Sequence, residues 1–146
     1  KRRYIIEKKA GDPFDKVYCV FDKDNHAYYQ STLDVISRAT PKYVYKAITS
    51  VPCFEYWLLL HFCYSTKSYE SLSGNSACKQ LISELKKHLP NYEKGSAGIF
   101  LSLKPRLDYA KCNAAQVLQE SEQNYTANPG TQMHELVQFL QDIKGT

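Results

Sequence analysis

The run Lys16-Val17-Tyr18-Cys19-Val20-Phe21 constrains the fold most: β-branched, aromatic and small apolar residues follow one another without a polar break, the pattern of a strand covered on both faces. It stops abruptly at Asp22. Residues 27–39 then carry Tyr29, Leu33 and Ile36 at helical spacings, ended by Pro41, and Tyr43-Val44-Tyr45-Lys46-Ala47-Ile48 reads as a second strand. Strand, helix and strand within about 35 residues predict a right-handed parallel crossover.

The flanking segments read as helical. Tyr4-Ile5-Ile6 between basic residues predicts the last turns of a helix, stopped by Gly11-Asp12-Pro13. Beyond the second strand, Ser50 is expected to cap a helix with Pro52 in its first turn, and Phe54 to Cys63 is apolar nearly all round, which predicts a buried helix. Three more helices are predicted: residues 76–89, with Cys78, Leu81, Ile82, Leu85 and Leu89 on one face; roughly residues 103–122; and residues 131–143, capped by Thr131 after the turn Asn128-Pro129-Gly130. Ser65 to Ser73 and Tyr92 to Gly98 are loops. The predicted fold class is therefore α/β: a small, mostly parallel, Rossmann-type sheet flanked by helices, with a helical C-terminal half.

A chain of 146 residues suits a single domain, residues 1–146. Its 43% hydrophobic content, with 12 Tyr and 6 Phe, excludes a disordered chain. The net charge of +4 is modest, and the local basic clusters Lys1-Arg2-Arg3, Lys8-Lys9 and Lys86-Lys87-His88 read first as an ordinary solvated surface, with contact to a polyanion as the competing reading. Five cysteines without a C-x-x-C pair predict reduced, mostly buried thiols and a cytoplasmic protein. The most apolar stretch, Phe54 to Phe62, contains Glu55 and His61 and is far shorter than the roughly 20 residues of a membrane span. No membrane partner is expected, and the start has no signal-peptide pattern. The first residues read as an element already under way, so a fragment lacking an N-terminal part is expected.

The chemistry concentrates at Asp22-Lys23-Asp24-Asn25-His26. Two carboxylates directly after a buried strand stand at the carboxyl end of a sheet, where open α/β folds place ligands. Magnesium, or manganese in its place, takes one or two protein carboxylates and completes its shell with water and phosphate oxygens, so Asp22 and Asp24 suit it as metal ligands. Lys23 moderates the repulsion between them, and His26 is placed to donate to a phosphate. A polar turn is the competing reading. Glu55 shares a helix face with Leu59 and Phe62, so its carboxylate must be protonated, paired or turned to a wet site holding a cation. It is the third candidate catalytic residue, against a structural salt bridge or helix-start charge. His61 reads as a core histidine. Lys94 and Arg106 are candidate phosphate clamps or plain surface cations.

At these residues the sequence resembles the RloB-like family, found with restriction and phage-defence loci and regarded as carrying a Toprim-type catalytic domain. The resemblance rests on Val17 to Asp24, on the long segment Ser50-Val51-Pro52-Cys53-Phe54-Glu55-Tyr56-Trp57-Leu58-Leu59-Leu60-His61-Phe62, on Tyr92-Glu93-Lys94, and on Asn128-Pro129-Gly130-Thr131 with the helix after it. It implies a magnesium-dependent nuclease acting on DNA or RNA, in which Asp22 and Asp24 take the metal role. The family's first strand and Glu-Gly-Glu-type segment are expected upstream of Lys1, so this chain carries the metal-binding half of such a site. Lys23, His26 and Lys94 are the expected substrate contacts, a partner ATPase and a homodimer the expected protein partners. A catalytically silent nucleotide- or partner-binding module is the alternative. A haloacid-dehalogenase-type phosphatase is disfavoured by His26 where Thr or Val is usual, and a glycosyltransferase by the small size and the Pro52 to Phe62 segment.

Overall fold

The chain runs from a short helix into a small sheet and then into a helical half. The computed structural model describes residues 2–24 and 26–143, so Lys1 of the first basic cluster and Asn25 of the acidic segment lie outside the described residues. The elements are α1 (Arg2–Lys9), β1 (Val17–Asp22), α2 (Tyr29–Ser37), β2 (Tyr45–Val51), α3 (Glu55–Leu59), α4 (Ala77–Leu85), α5 (Ile99–Leu103), a 3-10 turn (Lys104–Arg106), α6 (Leu107–Gln123), β3 (Gly130–Thr131) and α7 (Met133–Asp142). Strand order is β1-β2-β3. Val17 donates its backbone N–H to Val44 and Lys23 donates to Ser50, an equal advance on both chains that makes β1 and β2 parallel. β3 closes the other side of β2 in antiparallel register, with Ser50 opposite Thr131 and Val51 opposite Gly130. No described helix is long and apolar enough to cross a membrane.

The contacts divide the chain into two compact units, one holding the described residues up to Val20 with His26–Ala47, the other holding Phe21 to Asp24 and everything from Ile48 on. In the first, the predicted N-terminal helix is α1. Tyr4 is its buried residue and its ring lies 5.6 Å from that of Tyr45. Gly11, at φ +86°, takes the left-handed turn that lets its own N–H and that of Asp12 reach back to the Lys8 and Glu7 carbonyls. β1 departs from its expected double-sided burial: its residues are mostly half-covered and Val20 is 52% exposed. Among the described residues β1 is an edge strand, paired with β2 on one side only.

The second unit carries the core. Tyr56, Leu59 and Leu60 pack with Leu81 and Leu85 of α4 and with Ala110, Ala114 and Val117 of α6, all fully buried. The segment from Glu55 to His61 is buried as its composition predicts, but only Glu55–Leu59 is helix. Beyond Leu59 the backbone tightens: His61 and Phe62 donate to carbonyls three residues back, and the His61 ring turns its Nδ1 to the Trp57 carbonyl at 3.0 Å.

Ser50 is not the cap of this helix. It belongs to β2, where its hydroxyl meets the Thr131 hydroxyl at 2.9 Å, and α3 starts at Phe54 without a side-chain cap; Pro52 precedes the helix instead of entering its first turn. Ser76 does cap α4, accepting from the Lys79 N–H. The helix expected over roughly residues 103–122 is α6, which starts only at Leu107: Pro105 supplies no N–H and sits in the 3-10 turn that separates α6 from the unforeseen short helix α5. Thr131 lies in β3 and still accepts the Met133 N–H at 3.2 Å, so one residue ends the sheet and starts α7. Thr131→Val is therefore expected to destabilise the chain by about 1–3 kcal/mol in urea titration, since it strands the buried Ser50 hydroxyl and the Met133 N–H together.

Candidate functional site

Parallel pairing brings the carboxyl ends of β1 and β2 to the same end of the sheet, and the acidic segment is fastened there by its backbone. The Lys23 N–H donates to Ser50 at 3.0 Å and the Asp24 N–H to Pro52 at 2.9 Å. Asp24 takes a φ of +32°, in the region Asp tolerates better than most residues. Asp22 is half-buried, and its carboxylate accepts the backbone N–H of Phe54 at the entrance of α3. The very next residue, Glu55, is 3% exposed. One of its oxygens, Oε1, accepts from the Tyr92 hydroxyl at 3.1 Å and stands 3.2 Å from Lys94 Nζ. The other, Oε2, is buried with no hydrogen bond of good geometry, although the Cys53 thiol beside the carboxylate acts as a weak donor. Cys78, from the first turn of α4, brings its thiol to 3.5 Å from Asp24 Oδ1. Asp22, Glu55, Tyr92 and Lys94 line one open cleft of about 370 Å³, with Leu58 and Ile99 as its apolar wall.

The electrostatics separate the two acids. Burial pushes the Asp22 carboxyl above its ordinary value, and the Glu55 and Asp24 charges add to this against the Phe54 N–H and Lys94. Burial acts the same way on Glu55, but the Cys53 thiol, its own backbone N–H and Lys94 outweigh it and hold the carboxyl below the ordinary range. Burial would lower Lys94, yet the bond to Glu55 prevails and keeps the ammonium charged to higher pH. The Cys78 thiol is raised to about 11, first by burial, so it stays protonated.

Opposite pH effects follow. A raised folded-state value means that Asp22 contributes stability below its unfolded value and loses that contribution as pH rises through the folded one. A lowered value means that Glu55 contributes above its unfolded value and loses this as pH falls through the folded one. Asp22→Asn is thus expected to be at least as stable as the parent near neutral pH, with any gain shrinking near pH 4, whereas Glu55→Gln loses stability at neutral pH and converges with the parent in acid. Urea titrations at the two pH values check both.

Of the residues predicted from sequence, the structure brings Asp22, Asp24, Glu55 and Lys94 into one neighbourhood. Lys23 is exposed and fixed through its backbone, and does not line the cleft. His26 belongs to the other unit, exposed at the approach to α2, where its carbonyl accepts the Tyr29 N–H. His61 is the core histidine its surroundings suggest, edge-on to Trp57 at 4.8 Å. Tyr92, Cys53 and Cys78 escaped the sequence reading. Tyr92 stood in view beside Lys94, but nothing in sequence links either to Glu55, and the two cysteines are brought together only by the packing of α3 on α4.

Among the described residues no group of three or more His, Cys, Asp or Glu side chains could by itself hold a metal. Asp22 and Asp24 are the residues that could ligate a hard cation, which would have to complete its shell with water and phosphate oxygens. Burial, and then the Glu55 and Asp24 charges, raise Asp22, and Glu55 Oε2 is buried without a full partner; a nearby cation would offset both.

The chain matches the model of the RloB-like protein family over residues 2–140. The chain belongs to the RloB-like family. No curated protein and no solved structure matches it. In this RloB-like chain the matched span takes in every cleft residue, from the strand end at Asp22 through Glu55 to Lys94.

Proposed function

We propose that this RloB-like chain is the metal-dependent phosphodiester-cleaving domain of a phage-defence protein, built around a Toprim-type site, with magnesium or manganese held by Asp22 and Asp24. The observation that carries the reading is the buried Glu55 carboxylate, pinned by Tyr92 and Lys94 in the same cleft as Asp22 at the carboxyl end of a parallel strand pair. The metal, when bound, supplies polarisation of a phosphoryl oxygen and stabilises its developing charge. Asp22 and Asp24 orient it. Glu55 stays ionised with one oxygen engaged, so its work is to hold Lys94, whose side chain is 64% exposed, facing the cleft where a phosphate arrives. Asp22, whose carboxyl burial holds above its ordinary value, would be kept ionised by the cation it ligates. Five free cysteines agree with a cytoplasmic setting for the defence role.

A second reading draws on the lack, among the described residues, of a group of three or more metal-ligating side chains: a nucleotide- or partner-binding module, docking for instance an ATPase of the same system, in which Lys94 and the acidic cleft hold a ligand without cutting it. Incubation with supercoiled plasmid and bulk tRNA in magnesium, in manganese and in EDTA separates the two. Metal-dependent loss of either substrate is the expected result. Intact substrates in both metals, with manganese still bound by the protein, favour the binding module and overturn cleavage.

A further inference from the structure

Phe62 closes the buried stretch that begins at Glu55 and is itself only half-buried. Two segments remote in sequence meet on its ring. His88, in the turn after α4, stacks on it with centroids 5.1 Å apart and planes 10° from parallel, and Arg106, the last residue of the 3-10 turn, places its guanidinium carbon 5.4 Å from the same centroid. Lys86, Lys87 and His88 on one segment and Lys104 and Arg106 on the other are all exposed. Lys87 is engaged by both oxygens of Glu84. Among the described residues, no acidic side chain pairs with Lys86, Lys104 or Arg106.

This arrangement is more than surface basicity. A guanidinium laid on an aromatic ring has already lost part of its conformational freedom and still presents its N–H edge outward, the geometry suited to a phosphate. Cations contributed by two separate segments span more than one phosphate group, which suits a repeating polyanion better than a single small anion. We propose that Arg106 and His88, both held against Phe62, together with the exposed Lys104 and Lys86 of the same two segments, hold the phosphodiester backbone of a nucleic-acid strand. The proposal rests on the phosphodiester-cleaving reading for what the strand does there, and it names a place where the substrate is gripped through residues other than the acidic cleft.

The test is fluorescence anisotropy with a labelled single-stranded oligonucleotide of about 20 residues, as DNA and as RNA, over a range of salt and in EDTA. Because no metal is present, failure of cleavage leaves this measurement untouched. The parent chain is expected to bind with an affinity that falls as salt rises. Lys104→Gln/Arg106→Gln is expected to weaken binding about tenfold and to lower the salt slope by about one for each phosphate contact removed. Phe62→Leu, which keeps every charge and removes the platform, weakens binding several-fold with the slope retained. Lys8→Gln/Lys9→Gln, on exposed residues of α1, removes the same formal charge and is expected to leave both quantities near the parent values. Lys86→Gln on the other segment repeats the test should the double variant unfold in a thermal melt. Absence of binding by the parent at low salt, or equal losses in the Lys104/Arg106 and Lys8/Lys9 variants, overturns the proposal.

Discussion

Asp22→Asn/Asp24→Asn is expected to reduce metal-dependent cleavage by on the order of a thousandfold or more, while the thermal midpoint stays level or rises. Both halves of this result come from the same geometry. Amide oxygens are poor ligands for a hard cation, so removing the two carboxylates leaves no anionic pair at the strand end to hold one. The fold meanwhile loses little. The Phe54 N–H that Asp22 accepts can be accepted by an asparagine carbonyl, and the backbone bonds from Lys23 to Ser50 and from Asp24 to Pro52 do not involve the side chains. Burial and the Glu55 and Asp24 charges penalise the ionised form of Asp22, and the substitution removes that penalty. Cleavage rates on plasmid or tRNA, measured beside a thermal melt, check the pair of expectations. A variant that loses activity and stability together places the acids in the scaffold and not in the chemistry.

Leu81→Ala is expected to cost about 2–5 kcal/mol, a large share of the stability of an ordinary domain. Leu81 is fully buried on α4 in the cluster with Tyr56, Leu59 and Leu60, so truncation leaves a void where α3 and α4 pack. Leu140→Ala on α7, where the side chain is 52% exposed, is expected to change stability by no more than about 0.5 kcal/mol. The contrast matters for the site, because α3 carries Glu55 and α4 carries the Cys78 thiol that meets Asp24. Chemical denaturation of the two variants checks the difference. A small loss at Leu81 contradicts the packing of these helices as described.

Much of this was legible from residues alone. The strand-helix-strand opening announces itself because β-branched runs and helical spacing are local signals, and the acidic pair stands out because it follows a strand directly. The extent of helix was less legible. The apolar run from Phe54 to Cys63 reports burial faithfully but cannot report the tightening after Leu59, which depends on backbone bonds made by His61 and Phe62. Ser50 shows the same limit: its type suits a helix cap, and the neighbour that claims its hydroxyl, Thr131, is far away in sequence. Glu55 was marked as a carboxylate needing a partner, but no spacing rule connects position 55 with Tyr92 and Lys94, since a loop closes that contact. Composition predicts double-sided burial of β1 because it records what a strand tolerates and not what packs on its faces.

Manganese titration into nitrogen-15-labelled protein, followed by paramagnetic broadening of backbone amide signals, tests the central claim most directly. Selective broadening is expected around Asp22 to Asp24, at Phe54 and Glu55, and near Lys94, abolished in Asp22→Asn/Asp24→Asn. Broadening centred elsewhere, or unchanged in the double variant, would contradict a metal site at this strand end.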